Sequence, residues 1–312
     1  MTVIDAIIEG IIQGATEFLP VSSSGHLSLS QHFLGIHVPS LFFDVMLHVG
    51  TLIAVIAVYY KLVWRLLCEF VFTIRDIFTG RFKWSEMNPD RRLMMMLIIG
   101  LVPLFILFLP VPGTGCKIKD FADIWATDSD ILVEGFSLIA TGTLLTLGIA
   151  ASHRTVKRRS IHGRRPCIGR KQYNVVDAVF TGFFQCAAAV FPGLSRSGST
   201  LSAGLLRGIN RKTALDYSFV IGIPSIMAAA LLELKTALSQ PGGVGIGGAP
   251  VAAGIISAAV VGFLAIKLLK WMVSTDKLGV FAVYTFALGA IVVVIGFIEH
   301  STGVNIVTGM RL

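Results

Sequence analysis

The chain is expected to fold as an all-α integral membrane protein, a polytopic helical bundle with two inverted-topology repeats, each containing a re-entrant helix-turn-helix. Three observations lead there. Of its 312 residues, 54% are hydrophobic and only 14% charged, and the mean hydropathy is +0.79. A soluble core of this size needs a polar shell that such a composition does not supply. Apolar runs long enough to cross about 30 Å of hydrocarbon, roughly 20 residues each, recur along the sequence. Finally, two polar-studded segments, 1–36 and 173–209, are copies of one another.

The first element, MTVIDAIIEG, has no basic n-region, carries acids inside its apolar stretch and offers no small-residue cleavage site. It is therefore expected to belong to the mature fold and not to a secretory signal. Six spans follow at Leu41 to Tyr60, Leu93 to Leu109, Ile131 to Ala151, Thr213 to Leu234, Val251 to Trp271 and Leu278 to Ile298. Between Ser152 and Gln172 lie eight Lys and Arg residues and no acid, and Lys61 to Arg92 adds seven more. The positive-inside rule puts both segments in the cytoplasm. Flanking spans make topology and anionic lipid, not nucleic acid, the reason for the net charge of +8. Residues 111–130, the Gly-rich stretch 239–250 and the tail after Glu299 then fall outside. Cys68, Cys116, Cys167 and Cys186 show no metal-ligand spacing and are expected to be packing residues.

Residues 3–20 align with 175–192 at a constant offset of 172, so that Val3, Asp5, Ala6, Gly10, Gln13, Ala15 and Pro20 all recur. The same offset pairs Ser23 with Ser195, Asp44 with Asp216 and Gly50 with Gly222. With one inserted residue, Gly25 meets Gly198, and Gly35-Ile36 meets Gly208-Ile209. The first copy precedes a span running inward, the second a span running outward, so the repeats are inverted. Such repeats with Gly/Pro-interrupted segments place a site near the midplane, where non-helical backbone lines a polar cavity. The whole of 1–312 reads as one transmembrane domain. Repeat A covers about 1–110 and repeat B about 173–298, joined by the span at 131–151 and the basic loop at 152–172.

Asp5, Glu9, Gln13 and Glu17 step by four along one stripe of an otherwise apolar helix. Asp5 and Glu9 are expected near the outer surface. Glu17 lies at the deep end, where a carboxylate is costly enough to mark a functional site. After Pro20, VSSSGH supplies hydroxyls, a glycine and an imidazole; PGLSRSGST supplies hydroxyls, backbone N–H groups and a guanidinium. Together they describe an oxyanion site, since the Arg196 fork matches phosphate oxygens bidentately and small residues let N–H groups face an anion. Structural roles compete residue by residue: Ser23 or Ser195 as helix caps, His26 as a core histidine, Arg196 as an ion-pair partner of Glu17.

The runs Gln13 to His26, QGATEFLPVSSSGH, and Pro192 to Thr200, PGLSRSGST, resemble the two signature motifs of the undecaprenyl-diphosphatase family, membrane phosphatases linked to bacitracin resistance. The likeness covers nearly the whole chain, including FQC before the second motif. It implies hydrolysis of undecaprenyl diphosphate to the monophosphate and inorganic phosphate, which recycles the lipid carrier of bacterial cell-wall synthesis. It also implies a divalent cation, Mg²⁺ or Ca²⁺, with Glu17 as a metal ligand. By position, the family's acidic pair becomes Gln13 and Glu17, its first turn gives Ser23 and His26, and its second gives Ser195, Arg196 and Thr200. Many members carry Glu where this chain has Gln13, and the basic 152–172 segment is longer than is usual.

The expected catalytic set is Glu17, Ser23, His26 and Arg196, with Gln13, Ser195, Ser197 and Thr200 contacting substrate. Either Ser23 attacks, with His26 or Glu17 taking its proton, or Glu17 activates water. Partners are the polyprenyl diphosphate, membrane lipid and a second copy of the chain, in the bacterial plasma membrane with the site facing outward. The type-2 phosphatidate phosphatases share SGH and SR fragments but use a histidine nucleophile after SR, and SRSGSTLSAGLLRG contains neither His nor Asp. A transporter or flippase of polyprenyl phosphates is the rival from another class, because inverted repeats are transporter architecture.

Overall fold

Both copied segments open with the same local device. Thr2 accepts a hydrogen bond from the Asp5 N–H at 3.2 Å while the Asp5 carboxylate accepts from the Thr2 N–H at 2.7 Å. Asn174 and Asp177, the residues 172 positions on, repeat this capping box at 2.8 and 3.1 Å. Two orphan helix donors are satisfied reciprocally at each start. The computed structural model in which these contacts occur describes residues 1–35, 41–118, 120, 131–161, 169–239 and 246–309.

The capped helices are α1 (Val3–Glu17) and, in the second copy, α6 (Val175–Val190). Each is followed by a turn and a short helix, α2 (Ser23–Leu34) or α7 (Arg196–Leu206). The long helices are α3 (Leu41–Phe78), α5 (Leu132–Ile161), α8 (Arg211–Ser239), α9 (Gly248–Ser274) and α10 (Gly279–Thr302). Between α3 and α5 comes α4 (Pro89–Leu101), which runs into a 3₁₀ stretch, Val102–Phe108, where Pro103 has no N–H to continue the α ladder. Six of these helical stretches are long and apolar enough to cross a membrane, and each overlaps one of the six expected spans to within two residues.

Two helices outrun the expectation. Residues after Tyr60 were expected to form a loop, yet α3 continues to Phe78, with a non-helical break at Tyr59 (φ −109°, ψ 17°). At 1.5 Å per residue its 38 residues extend about 57 Å, well beyond the hydrocarbon. Acids of the extension are paired by a basic residue of α4: Arg91 contacts Glu69 at 2.9 Å and Asp76 at 2.8 Å. Likewise α5 runs to Ile161, so the basic segment expected to begin at Ser152 starts as helix. Residues 162–168, and Cys167 with them, lie outside the described residues, as do 36–40, 121–130 and 240–245. Of the other cysteines Cys186 is buried, but Cys116 is exposed and so is not a packing residue.

Helices of the two copies pack crosswise. α1 lies on α9, and α6 lies on α4. The contacts are close because glycines sit at the crossings: a Cβ at Gly10 would stand 2.5 Å from the Gly254 carbonyl oxygen, and one at Gly182, its counterpart, 2.3 Å from the Gly100 oxygen. Small residues let membrane helices approach in this way. α3 and α8 also pack together, and their apolar contact, with Phe18, Tyr59, Phe219 and Ile266, forms the central core. The two turns thus come to lie beside one another.

Candidate active site

The turns touch directly. The Gly193 N–H donates to the Ser24 hydroxyl at 3.3 Å, and the Ser197 hydroxyl donates to the Leu19 carbonyl at 3.1 Å. Gly193 adopts φ +82°, and a Cβ there would meet the Glu134 Cα at 2.8 Å, so only glycine serves at this crossing. On the other side Ser22 caps α2 at φ 74°, a left-handed backbone that a serine rarely adopts.

Glu17 is the hub. Its side chain is 3% exposed. Arg196 Nη2 donates to Oε1. Oε2 accepts from the Ser23 hydroxyl at 2.7 Å and from Gln13 Nε2 at 2.9 Å. His48 Nε2, on α3, lies 3.4 Å from the same oxygen. One carboxylate therefore collects groups from α1, α2, α3 and α7. An intramembrane acid needs such partners, because an uncompensated buried charge costs several kcal/mol.

The remaining sequence-predicted residues divide. His26 does not bond Ser23: its Nδ1 lies 2.7 Å from the Ser22 carbonyl oxygen and its Nε2 2.7 Å from the Tyr284 hydroxyl, with the two rings stacked. Since a carbonyl only accepts, Nδ1 is the donor there. Ser195 caps α7 by accepting from the Gly198 N–H at 3.0 Å, and its own N–H donates to Thr141 Oγ1 at 3.0 Å. The Thr200 hydroxyl donates to the Arg196 carbonyl at 2.9 Å and lies 2.6 Å from that of Ser218. Ser195, Ser197 and Thr200 are all buried, so their hydroxyls build the turn that carries Arg196. Glu9 and Asp5 part company: Asp5 sits in the capping box, whereas Glu9 is fully buried and accepts from Ser30 at 2.7 Å.

Three groups went unmarked in the sequence. His48 and Tyr284 belong to long apolar helices and reach the site only through packing. Gly222 is a notch: a Cβ there would stand 1.9 Å from Arg196 Nη1. Its pairing with Gly50 across the repeat was the one available signal.

Among the described residues no cluster of three or more His, Cys, Asp and Glu side chains gathers to hold a metal. One atom does suit a hard cation: the Gln13 Oε1 carbonyl is buried beside Glu17 with no hydrogen-bond partner. Such cations take oxygen ligands, with one or two from carboxylates and others from substrate phosphate.

The family described as Bacitracin resistance protein BacA matches residues 6–291. An undecaprenyl-diphosphatase of Alkaliphilus metalliredigens is 37% identical over 298 residues, covering 94% of this chain and 98% of its own. One from Methanobrevibacter smithii is 35% identical over 301 residues, 96% and 99% of the two chains. Undecaprenyl-diphosphatase 4 of Bacillus thuringiensis subsp. konkukian is 35% identical over 300 residues, 96% and 99%. With both motifs inside the matched span and the likeness running nearly end to end, the chain belongs to the BacA family.

Proposed function

We propose that this chain hydrolyses undecaprenyl diphosphate, or a polyprenyl diphosphate of that class, to the lipid monophosphate and inorganic phosphate. The observation that carries the reading is the meeting of Ser23, Glu17 and Arg196: a hydroxyl bonded to a buried carboxylate, with a guanidinium on the carboxylate's other oxygen. That is a nucleophile, its base and an oxyanion clamp within one contact shell.

In the first step the Ser23 oxygen attacks the terminal phosphorus and its proton passes to Glu17 Oε2. The bond between that phosphorus and the bridging oxygen breaks, and the lipid monophosphate leaves with the electron pair. In the second step water attacks the phosphoserine, Glu17 returns its proton to the serine oxygen, and phosphate departs carrying both protons of the water. Arg196 turns from Glu17 to the phosphoryl oxygens. His26, tied to Ser22 and Tyr284, fixes the turn and stays out of the first proton transfer. A divalent cation, Mg²⁺ or Ca²⁺, would be held by Glu17 and Gln13 Oε1 together with substrate oxygens. When bound it would offset phosphate charge.

The site is read as lying at the interface of two inverted repeats whose first helices are re-entrant, within one transmembrane domain. Support comes from the equivalent capping boxes of α1 and α6 and from their crosswise packing on α9 and α4. With the basic segments in the cytoplasm of a bacterial cell, the first turn enters from outside the plasma membrane and the site opens outward. The product then returns to the pool of lipid carrier for cell-wall synthesis.

The test is phosphate release from undecaprenyl or farnesyl diphosphate by the detergent-solubilised protein, with and without EDTA. Release in the absence of a sealed membrane is expected. A protein that moves polyprenyl phosphate across vesicles and releases no phosphate is a carrier, and the hydrolase reading falls.

A further inference from the structure

The geometry points to His48 as a positioning residue for the Glu17 carboxylate, a role that rests on the hydrolase reading above. Its Nδ1 lies 2.8 Å from the Asp44 carbonyl oxygen one turn back on α3. A carbonyl accepts only, so Nδ1 carries a hydrogen and the ring is held in one orientation. That orientation aims Nε2 at Glu17 Oε2, 3.4 Å away. With Nδ1 already a donor, a ring that also carries a hydrogen on Nε2 makes an ion pair with Oε2 at that distance.

The oxygen concerned is the one that matters. Oε2 accepts the Ser23 hydroxyl and takes its proton, while Oε1 is held by Arg196. When Arg196 turns to the phosphate, Oε1 loses its tether. The plane of the carboxylate then depends on the groups at Oε2 other than the reacting serine, which are Gln13 and His48. Gln13 approaches from the same helix, whereas His48 braces Glu17 from α3. The charged groups around the ring are few: Glu17 from α1, Asp44 on its own helix, and Arg196 beyond Glu17.

The repeat supports a specific role. At the offset of 172, His48 corresponds to Val220 and Gly50 to Gly222. The same turn of each long helix therefore faces the ion pair: α8 opens a notch for Arg196, and α3 places an imidazole against Glu17. The His48 side chain is 29% exposed where Glu17 is 3% exposed, so its replacement disturbs the core less than replacement of Glu17 would.

The experiment measures kcat and KM for phosphate release from farnesyl diphosphate by the full chain carrying His48→Leu or His48→Gln. Loss of the contact with Oε2 is expected to lower kcat of His48→Leu by about 10- to 100-fold, with KM within about twofold. The amide of His48→Gln can donate to the same oxygen and is expected to recover most of the rate. A His48→Leu variant within twofold of the parent in kcat, or Leu and Gln variants equally impaired, overturns the proposal. If the parent releases no phosphate, the hydrolase reading fails separately, and the contact is still decided by ring-¹⁵N spectra of histidine-labelled protein. The His48 Nε2 resonance, assigned from its absence in His48→Gln, should move in Glu17→Ala and stay in Glu9→Ala. A resonance indifferent to Glu17 removes the brace.

Discussion

The stripes of α1 and α6 are the same frame put to different use. Both begin at a capping-box aspartate, and both carry glutamine two turns on, Gln13 and Gln185. In α1 the other positions are Glu9 and Glu17, each bonded by groups from other helices. In α6 they are Thr181 and Ala189, and neither amide atom of Gln185 has a hydrogen-bond partner among the described residues. The turns diverge in the opposite sense: at the offset where repeat B has Arg196, repeat A has Ser24. Each half is thus incomplete, one holding the carboxylate and the other the guanidinium. A buried carboxylate or guanidinium alone would be heavily penalised, and docking the halves relieves both at once. The Glu17–Arg196 ion pair is a property of the interface.

The largest effect that sharpens this contrast is expected at Ser23 and Ser195, which occupy equivalent positions. Ser23→Ala should lower turnover by several orders of magnitude while lipid diphosphate still binds, because the reaction path is gone and not merely a contact. Ser195→Ala loses a helix cap, about 1 kcal/mol of stability, and little of the chemistry. Phosphate release and thermal melting of the two variants separate these outcomes. If Ser23→Ala keeps a tenth of the rate, water activated by Glu17 is the nucleophile.

Next comes the cation. Arg196→Lys and Arg196→Ala should both lose about 100- to 1,000-fold in kcat, since a point charge does not reproduce the planar fork proposed to grip two phosphoryl oxygens. A lysine variant with near-normal kinetics would show that charge alone is needed, and the clamp would be withdrawn.

How much of this was readable from residues alone varies with the range of the interaction. Composition and run length located the six spans, because crossing hydrocarbon is a local demand on each segment. The self-alignment located both turns; Glu17 stood out as a carboxylate deep in an apolar helix and Arg196 as the guanidinium of the second turn, and the family motifs joined them to Ser23. His48 and Tyr284 stayed hidden: each is a single polar side chain in a long apolar helix, and nothing local distinguishes it from a satisfied core residue. Glu9 was grouped with Asp5 for the same reason, until Ser30 of α2 closed over it. The far end of α3 was read as loop because charge density rises there, yet Glu69 and Asp76 pair with Arg91 and carry the helix on.

A mid-sized effect tests whether the two long helices play unequal parts. Gly222→Ala places a methyl group where Arg196 Nη1 lies, with 1.9 Å between them. The end of a flexible side chain can move, so the protein should fold normally and lose about 10- to 100-fold in kcat as the guanidinium is displaced. Gly50→Ala, its counterpart, would set the Cβ 2.5 Å from the Ile255 carbonyl oxygen. That neighbour is backbone, and overpacking there should cost about 1–3 kcal/mol, read as a lower melting temperature. Equal losses of activity at unchanged stability would mean that α3 and α8 face the site alike.

The smallest effect is expected at Gln185, and it asks whether α6 keeps any use for its polar stripe. Gln185 is 1% exposed, and its amide nitrogen and oxygen are both without a partner. Leaving such groups unpaired costs roughly 1–3 kcal/mol, and an apolar side chain of similar shape escapes that penalty. Gln185→Met should therefore leave turnover unchanged and raise the melting temperature by a few degrees, at about 2–4 °C per kcal/mol. Gln13→Met, the same change in α1, removes a donor to Glu17 Oε2 and should lower kcat instead. If Gln185→Met melts lower than the parent, its amide is bonded to an enclosed water and the second stripe is a working polar site. The two copies would then differ in the ligand they hold, and no longer in whether they hold one.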